Sequence, residues 1–304
     1  MSMPKITIHT AAYNRAYVLG RVYRSLLTQT CKDFEWIITD DGSTDETEQL
    51  VRSWKSSDNG FPILYDKIPH GGLPRALNSG VNRANTDWFM KLDSDDYILP
   101  ETVEFICNKL EETDYSTEFV GIGFFRCHPD GTLMKKQQPR FEKDKDYIDA
   151  TNIQRKDYCL DMDMVEVTRI SLLKKYPFQV WENELFAPEQ LNYNEIALAG
   201  YKYRWYNIKL YVCDYLPDGL TKDDHIVKNN PMGFAMMHNQ NMLLTGSFKE
   251  KCRCAMQMTA LSICGGFPLY IKKSNCIPAT ILTLPLGIVL SVRRKRQFAA
   301  MDRR

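Results

Sequence analysis

Two carboxylates separated by one residue are the feature of this sequence best suited to carry chemistry. Asp93, Ser94 and Asp95 follow an apolar run, and Asp96 comes directly after them. Carboxylate oxygens at this spacing on a turn can share one hard divalent cation, Mg²⁺ or Mn²⁺, which takes further ligands from water and a substrate diphosphate. Alone the pattern is weak, because two such acids also occur in solvated turns at strand ends.

A second acidic cluster follows an earlier apolar run. Asp41 lies within Asp40–Ser43, and its carboxylate could accept a hydrogen bond from a uracil N–H or a ribose hydroxyl. Ser43 with Glu46 three residues later has the spacing of a helix capping box. A cap and a ligand contact are compatible here, because the cap does not occupy Asp41.

A glycine pair and an arginine form a third cluster. Gly71 and Gly72 would let the backbone approach a ligand closely, or would simply make a turn. Arg75 follows on the next predicted helix, where it could reach a phosphate group or lie on the surface.

Strands and helices alternate through the first 111 residues, and this alternation must position the three clusters. The predicted strands are Lys5–Ala12, Phe34–Thr39, Ile63–Tyr65 and Asp87–Leu92. Helices are predicted after Asn14, after Ser43, over Pro74–Ala84 and from Pro100 to Leu110, with Asn14 as the cap of the first. Such alternation predicts a parallel sheet with right-handed crossovers, and ligands bind beyond the carboxyl ends of its strands.

The pattern changes after residue 115. Strands are predicted over Phe119–Phe125 and Tyr203–Tyr215, and helices over Thr168–Lys175, Pro188–Ala199 and a methionine-rich segment from about residue 229 to 264. His128–Gly131 has the composition of a hairpin turn. We therefore expect a mixed second half rather than further regular alternation.

Composition excludes several classes of protein. The 304 residues are 44% apolar and 25% charged, which is typical of a folded protein and excludes a disordered chain or a multi-span membrane bundle. The net charge of +1 argues against a nucleic-acid binder. Nine cysteines without a C-x-x-C pair, and no secretory signal at the start, predict a reduced cytosolic protein without a zinc site.

The near-zero net charge conceals an asymmetry. Between residues 248 and 304, eleven lysines and arginines stand against two acids, so this segment carries +9 and the preceding residues carry −8. Cys276–Val292 is an uncharged run of 17 residues, followed at once by Arg293–Arg296. A membrane span, a buried helix and a helix on a membrane surface are all open. Because the run is short, contains two prolines and has basic flanks, the third is favoured.

At this point the chain resembles a family 2 glycosyltransferase of the GT-A fold. The resemblance covers residues 4–111, in order and in strand context. The matching residues are Thr10–Arg15, Asp40–Asp45, Gly71-Gly72 with Ala76, Asn78 and Gly80, and Leu92–Asp96. It implies a nucleotide-diphosphate sugar donor, for which we expect a UDP-sugar. It also implies an Mn²⁺ or Mg²⁺ ion and transfer with inversion. Ala11 stands where the family often has proline, at a position that contributes mostly backbone.

The resemblance also implies roles for particular residues. The implied nucleotide-sugar-binding residues are Ala11, Tyr13, Asp41, Arg75, Asp93 and Ser94. The implied metal ligands are Asp93, Asp95 and, as a candidate third ligand, His225. His225 follows Tyr215–Thr221, which resembles the segment that ends the catalytic domain in a bacterial subgroup of the family.

An inverting transferase also needs a general base to take the proton of the acceptor hydroxyl. The family keeps an acidic pair at the start of a helix, and here that pair reads Glu189-Gln190. Because glutamine replaces the second acid, Glu189 is the candidate base, with first-turn helix stabilisation as its structural alternative. Asp161, Asp163 and Glu184 are the runners-up.

Together these features predict an α/β protein of the GT-A class with a helical, basic carboxy-terminal extension. We expect a catalytic domain over 1–225, divided into a donor half (1–111) and an acceptor half (112–225), and an extension over 226–304. The predicted function is sugar transfer to a glycan or lipid-linked acceptor at the inner face of the cell membrane, in surface polysaccharide synthesis.

Other function classes remain open or are disfavoured by missing motifs. A sugar nucleotidyltransferase would need a glycine-rich, basic triphosphate loop near the amino terminus. A dinucleotide-dependent dehydrogenase would need G-x-G-x-x-G where Ala11–Arg15 stands. A non-catalytic nucleotide-sugar-binding protein would be expected to lose the D-x-D or the base, and donor hydrolysis or transfer with metal, against simple binding, separates this case.

Overall fold

The computed structural model describes residues 4–113, 118–136, 138–213 and 225–301. The chain divides into two compact units, Met1–Pro177 with Tyr193–Leu216, and Phe178–Asn192 with Pro217–Arg304. The first is an α/β unit built on one sheet, and the second is mainly helical. Each unit has a hydrophobic cluster of its own.

The amino-terminal part of the first unit alternates as the sequence predicts. Its elements are β1 (Ile6–Ala12), α1 (Ala16–Leu27), β2 (Phe34–Asp40), α2 (Thr47–Lys55), β3 (Ile63–Lys67), α3 (Leu73–Arg83) and β4 (Trp88–Lys91). The strands are parallel in the order β3-β2-β1-β4, so their carboxyl ends share one edge of the sheet. This confirms the predicted edge on which the polar clusters stand.

The remaining elements widen the sheet and make it mixed. They are β5 (Tyr97–Ile98), α4 (Thr102–Glu112), β6 (Phe119–Cys127), β7 (Tyr147–Ala150), β8 (Met164–Arg169), α5 (Ile170–Lys175), α6 (Gln190–Leu198) and β9 (Lys202–Val212). The sheet continues from β4 through β8, β6 and β9 to β5, with β7 also paired to β9. Because β8 is antiparallel to both β4 and β6, and β6 is parallel to β9, the predicted mixed α/β class is confirmed.

Three strands, β5, β7 and β8, were not predicted. All three are short, and the sequence interpretation began a helix at Thr168, inside β8. In the structure Thr168 is the last but one residue of β8 and pairs with Phe89, and the helix begins at Ile170. The periodicity of so short a segment does not separate a strand from a helix.

β2, which leads to the polar edge of the sheet, is buried along its whole length. All seven of its residues are buried, which is typical of a parallel strand covered on both faces. Both acids of the strand are buried, and Glu35 accepts hydrogen bonds from Thr7 Oγ1 at 2.6 Å and from the Asn85 N–H at 3.2 Å. Asp40, at the end of the strand, accepts the Ser43 N–H at 2.6 Å and the Tyr65 hydroxyl, so neither carboxylate is left unpaired.

Side chains in the loops after β1 and β2 form hydrogen bonds with the other loop rather than with the helix that follows their own. Asn14 does not cap α1; it has φ +54°, and its Oδ1 accepts the Thr44 N–H at 2.8 Å. Ser43 makes no capping box; its hydroxyl accepts the Asn14 N–H at 2.9 Å. Asp45 instead accepts the Ala16 N–H at the start of α1, at 3.0 Å. Both predicted caps are wrong, because the two side chains bond across the loops and neither helix has a side-chain cap from them.

One glycine of the family motif serves packing beneath this edge. His9, on β1, is fully buried, its Nε2 lies 2.9 Å from Thr39 Oγ1, and its ring stacks on Phe89. Burial lowers the pKa of His9 to about 3, so the ring is neutral. A Cβ on Gly80, in α3, would lie 2.1 Å from His9 Cδ2. Only a residue without a side chain lets α3 lie this close to β1.

We therefore expect Gly80→Ala to lower the free energy of unfolding by about 1–3 kcal/mol, the usual cost of overpacking a core. The measurement is urea unfolding followed by circular dichroism. Gly20→Ala is the matched control in helix α1, where the new Cβ meets only Arg24 Nη1, at 3.4 Å. Better helix propensity should leave Gly20→Ala at or above wild-type stability. Equal stability of both variants would contradict the close packing.

The second unit consists of α7 (Ile226–Asn229), α8 (Pro231–Leu244), α9 (Phe248–Cys264), a short 3₁₀ segment (Pro268–Lys273) and α10 (Ile277–Met301). The methionine-rich segment is helical as predicted, but it forms two helices, α8 and α9. Its methionines Met232, Met242 and Met258 form the buried centre of the unit's hydrophobic cluster. Glu184 accepts the N–H groups of Met232 and Gly233 at 2.7 and 2.8 Å, and so closes the amino terminus of α8.

Candidate active site

The D-x-D sequence forms a turn directly after β4. The Asp96 N–H donates to the Asp93 carbonyl at 3.2 Å, and Arg21 Nη1 donates to the Asp95 carbonyl at 3.2 Å. Ser94 and Asp96 are buried, whereas Asp93 and Asp95 are partly exposed. The alternation places the two acids of the motif on the accessible side of the turn.

Asp93 is surrounded by groups from distant parts of the chain. Its Oδ1 lies 3.2 Å from Lys91 Nζ, and its Oδ2 lies 2.9 Å from Arg126 Nη1. The Tyr211 hydroxyl accepts the Asp93 N–H at 2.9 Å and donates to Asp93 Oδ2 at 3.3 Å. The Arg126 guanidinium in turn lies over the Tyr211 ring, 4.5 Å from its centroid. Asp93 is therefore fixed in position before any ligand binds.

These neighbours set the charge states of the carboxylates of Asp93, which is partly exposed, and Asp96, which is buried. Burial acts to raise the pKa of Asp93, but Lys91 and Arg126 outweigh it and hold that pKa well below its ordinary value. Burial, followed by repulsion from Asp93, raises the pKa of Asp96 to about 6. Asp93 is thus an anion whose charge is already compensated by two cations.

The sequence interpretation missed Lys91, Arg126 and Tyr211. Lys91 could have been predicted from the sequence, because it lies two residues before Asp93 and side chains two apart on an extended segment share a face. Arg126 lies on β6 and Tyr211 on β9, and no local pattern links them to residue 93. Only the strand order of the sheet brings them to the turn.

We expect Arg126→Met to lower the free energy of unfolding by about 2–4 kcal/mol, somewhat less than breaking a fully buried ion pair costs, since it removes one member of a largely buried pair and leaves Asp93 less compensated. Urea unfolding measures this loss. The double variant Arg126→Met/Asp93→Asn should recover much of it, because the stranded charge is gone. If the two changes are instead additive, packing rather than charge explains the cost.

The Asp41 carboxylate holds the glycine loop. Its two oxygens accept the N–H groups of Gly71 and Gly72, each at 2.8 Å, and His70 Nδ1 lies 2.8 Å from Asp41 Oδ2. Gly42 beside it has φ +83°, and a Cβ there would lie 3.0 Å from the His70 N. The backbone of this loop thus approaches the end of β2 at the distance that only glycine permits.

The other predicted donor-binding residues line the same loop. Tyr13 is 44% exposed and stacks on His70, with ring centroids 4.1 Å apart. Arg75 Nη1 donates to the Gly71 carbonyl at 2.6 Å. Ala11 is the last but one residue of β1 and pairs with Thr39 of β2. The first unit therefore collects these residues at the carboxyl edge of β1 and β2, one strand away from the D-x-D turn after β4.

The remaining candidates belong to the second unit or fall outside the described residues. Glu189 is half-buried and immediately precedes α6, and its carbonyl accepts the Asn192 N–H at 3.0 Å. His225 immediately precedes α7. The segment Tyr215–Thr221 lies outside the described residues.

The runners-up for the base differ in their surroundings. Asp161 forms an exposed ion pair with Lys135 at 3.0 Å, and Asp163 is exposed. Glu184 is committed to the end of α8, and burial raises its pKa although the two backbone N–H groups oppose this. Glu184 therefore has a structural role that the sequence interpretation did not assign.

The donor atoms at the turn fit a hard divalent cation. Within the described residues, no group of three or more His, Cys, Asp and Glu side chains is placed to hold a metal ion by itself. Mg²⁺ and Mn²⁺ need only one or two carboxylates, with water and substrate phosphates completing the shell. Asp95, with Asp93 directly or through water, would supply such oxygens. A contribution from His225 stays a prediction.

Comparison with known proteins places these features in one family. The family model for glycosyl transferase family 2 matches residues 7–167. The chain is 34% identical over 145 residues to the chondroitin synthase of Pasteurella multocida, covering 47% of this chain and 15% of that protein. It is 26% identical over 188 residues to the GalNAc(5)-diNAcBac-PP-undecaprenol β-1,3-glucosyltransferase of Campylobacter jejuni, covering 60% and 58%. The chain thus spans 15% of the first relative and 58% of the second, less than two thirds of either.

Solved structures share the fold. S. aureus TarS 1–349 in complex with UDP-GlcNAc superposes with a TM-score of 0.60 at 17% identity, over 94% of this chain and 79% of that one. The mannosyltransferase PcManGT from Pyrobaculum calidifontis, in complex with GDP-Man and Mn²⁺, superposes with a TM-score of 0.54 at 14% identity, over 99% and 84%. With the family model covering more than half of its residues and the predicted GT-A architecture present, the chain belongs to glycosyl transferase family 2.

Proposed function

We propose that this protein transfers a sugar from a nucleotide-diphosphate donor to a hydroxyl group, with inversion at the anomeric carbon. The observation that carries the proposal is the D-x-D turn after β4, beside the Asp41 loop at the carboxyl edge of one parallel sheet. Ligands bind at this edge of open α/β sheets. Family membership gives the same reaction class.

The Asp41 loop binds the nucleoside in this proposal. Tyr13 offers an exposed aromatic face on which a base can stack. The Asp41 carboxylate accepts two backbone N–H groups, and a carboxylate has about four acceptor sites, so it can take a further bond from a uracil N–H or a ribose hydroxyl. Arg75 reaches the diphosphate by exchanging the Gly71 carbonyl for a phosphate oxygen.

The D-x-D turn holds the leaving group. A bound Mg²⁺ or Mn²⁺ ion would stabilise the negative charge that develops on the diphosphate. Asp95 would supply the direct ligand to that ion, and Asp93, already compensated by Lys91 and Arg126, would contribute directly or through water. Arg21 fixes the Asp95 backbone from α1. Ser94 lies between the acids and contributes to donor binding.

Glu189 acts as the general base. It takes the proton of the acceptor hydroxyl while that oxygen attacks C1 of the sugar. The bond between C1 and the diphosphate oxygen breaks with its electrons on oxygen, so the products are the glycoside and the nucleoside diphosphate. Attack from the face opposite the leaving group inverts the anomeric centre.

The acceptor in this proposal is a glycan or a lipid-linked glycan in polysaccharide synthesis. The names of the two relatives, a chondroitin synthase and a glucosyltransferase acting on an undecaprenol-linked glycan, support this class. The net charge of +9 over residues 248–304 supports contact with an anionic membrane through residues 272–304, at the inner face of the cell membrane.

A donor panel tests the proposal. UDP-glucose, UDP-GlcNAc, UDP-GalNAc and GDP-mannose are incubated with the full chain and Mn²⁺, Mg²⁺ or a chelator, and nucleoside diphosphate release is measured. We expect release from one donor class that requires the cation. Donor binding without any release in the presence of acceptor hydroxyls would instead support a non-catalytic binding protein, and pyrophosphate chemistry on a nucleoside triphosphate would support a nucleotidyltransferase.

A further inference from the structure

The last helix of the chain is packed with its large apolar side chains facing outward. The most exposed of these are Ile281 (68%), Val289 (67%), Leu282 (64%) and Leu286 (59%). The buried face of α10 instead consists of small residues, Ala279, Thr280, Thr283, Gly287 and Ser291. A helix of a soluble protein normally shows the opposite arrangement, with its apolar stripe toward the core.

Close packing against α9 fixes this orientation. A Cβ on Gly287 would lie 2.7 Å from the Thr259 Cβ, so the two helices meet at a glycine. The hydroxyls on this face are satisfied within α10: Thr283 donates to the Ala279 carbonyl at 2.8 Å and Ser291 to the Ile288 carbonyl at 2.7 Å. Turning α10 around would place leucine and isoleucine where only glycine fits.

Basic residues flank the outward apolar face at both ends. Lys272 and Lys273 are exposed just before α10, and Arg293, Lys295 and Arg296 are exposed in its last turns. The intervening run from 276 to 292 has no charge. Apolar side chains bordered by lysine and arginine match the hydrocarbon boundary and the anionic headgroups of a lipid surface.

We propose that α10 lies flat in the interface of an anionic membrane, with Ile281, Leu282, Leu286 and Val289 inserted and the flanking basic residues among the headgroups. This deepens the proposed function, because it identifies the membrane-contacting surface and its orientation. It does not depend on which donor or acceptor the enzyme uses.

The helix lies on the membrane rather than across it. α10 is the one helix within the described residues that is long and apolar enough to span a bilayer, and only 28% of its most apolar 18 residues are buried. Its partner α9 carries Lys249, Glu250, Lys251 and Arg253 in its first two turns. If α10 spanned the bilayer together with α9, these charges would enter the hydrocarbon region. If α10 spanned alone, it would separate from α9 and expose its polar face to lipid. The uncharged run of 17 residues is also at the short end of the length of about 20 residues that spans usually have.

Vesicle sedimentation of the full chain tests the surface. The variant Leu282→Gln/Leu286→Gln/Val289→Gln changes only exposed side chains, so we expect it to fold and to lose at least tenfold in partitioning to vesicles of phosphatidylcholine and phosphatidylglycerol. The control Val180→Gln/Leu185→Gln/Leu198→Gln removes the same number of leucines and valines at exposed positions elsewhere, 42–48% exposed, and should bind as wild type. Equal loss in both variants would overturn the assignment.

The basic flank is tested separately. Arg293→Gln/Lys295→Gln/Arg296→Gln should weaken binding to the anionic vesicles by about fivefold for each charge removed, with no effect on binding to pure phosphatidylcholine. High salt should reproduce the loss in the wild type. Salt-independent binding would contradict the role of the headgroups.

Two further outcomes would replace the proposal. Retention of bound protein after alkaline carbonate extraction would indicate a span, and dimerisation without lipid that the outward-face variant abolishes would indicate a second copy of the chain. Cation-dependent nucleoside diphosphate release from the soluble donor should be the same in the outward-face variant and the wild type. If neither protein released nucleoside diphosphate, the proposed function would be contradicted, while the membrane-binding result would still stand.

Discussion

Asp95→Asn is expected to lower the rate of sugar transfer by about a thousandfold while the fold is retained, the magnitude typical of losing a group that stabilises charge developing in the transition state. Asp95 is the partly exposed acid of the turn, and its backbone is fixed by Arg21. Removing its charge removes the direct cation ligand that the proposed mechanism assigns to this chain. Asp95→Ala should behave in the same way.

Asp157→Asn, an exposed acid on the same unit, is the matched control and should keep full activity. The measurement is nucleoside diphosphate release with acceptor at saturating Mn²⁺, together with isothermal titration of the cation in the presence of the nucleoside diphosphate. Wild-type turnover by Asp95→Asn under these conditions would remove Asp95 from the mechanism. Unchanged cation affinity would do the same even if activity fell.

Glu189→Gln is expected to lower kcat by about a hundredfold to ten-thousandfold, the usual contribution of a general base, with donor affinity unchanged. Glutamine has the shape of glutamate but cannot take the acceptor proton. A loss confined to kcat would locate the defect in the chemical step rather than in binding. Acceptor-dependent release and donor binding, measured on the same preparation, separate the two.

Two neighbouring glutamates serve as controls. Glu182→Gln changes an exposed side chain and should leave transfer unchanged. Glu184→Gln weakens a carboxylate that accepts two N–H groups at the start of α8, so it should lower stability rather than kcat at a temperature where it is folded. Full activity of Glu189→Gln would return Asp163 and Asp161 to consideration as the base.

The clusters that carry the proposed chemistry could be found in the sequence because each is local. Asp93, Asp41 and Gly72 each lie within a few residues of a strand end or helix start, and strand–helix alternation sends every such end to one edge of the sheet. The four strands of this alternation and their parallel pairing were predictable for the same reason. The family resemblance rests on these same segments.

The predictions that failed concerned competition between local and distant partners. Asn14 and Ser43 have the composition of helix caps, yet the crossing of the two loops gives them each other and Thr44 as partners. Thr168 reads as a helix start but pairs with Phe89 because β8 fills the edge of β4. A local pattern cannot rank a neighbour in sequence against a neighbour in space.

The sequence by itself determined the fold class, the three clusters, and the uneven charge that separates an acidic body from a basic end. Tertiary structure alone decided that Arg126 and Tyr211 compensate and orient Asp93, and that α10 turns its apolar side chains outward. The physical reason is that some features depend on residues close together in the sequence and others on contacts between distant segments. Residue type and spacing fix the chemistry available along one segment, whereas the compensation of a buried charge and the face of a helix depend on which segments pack together.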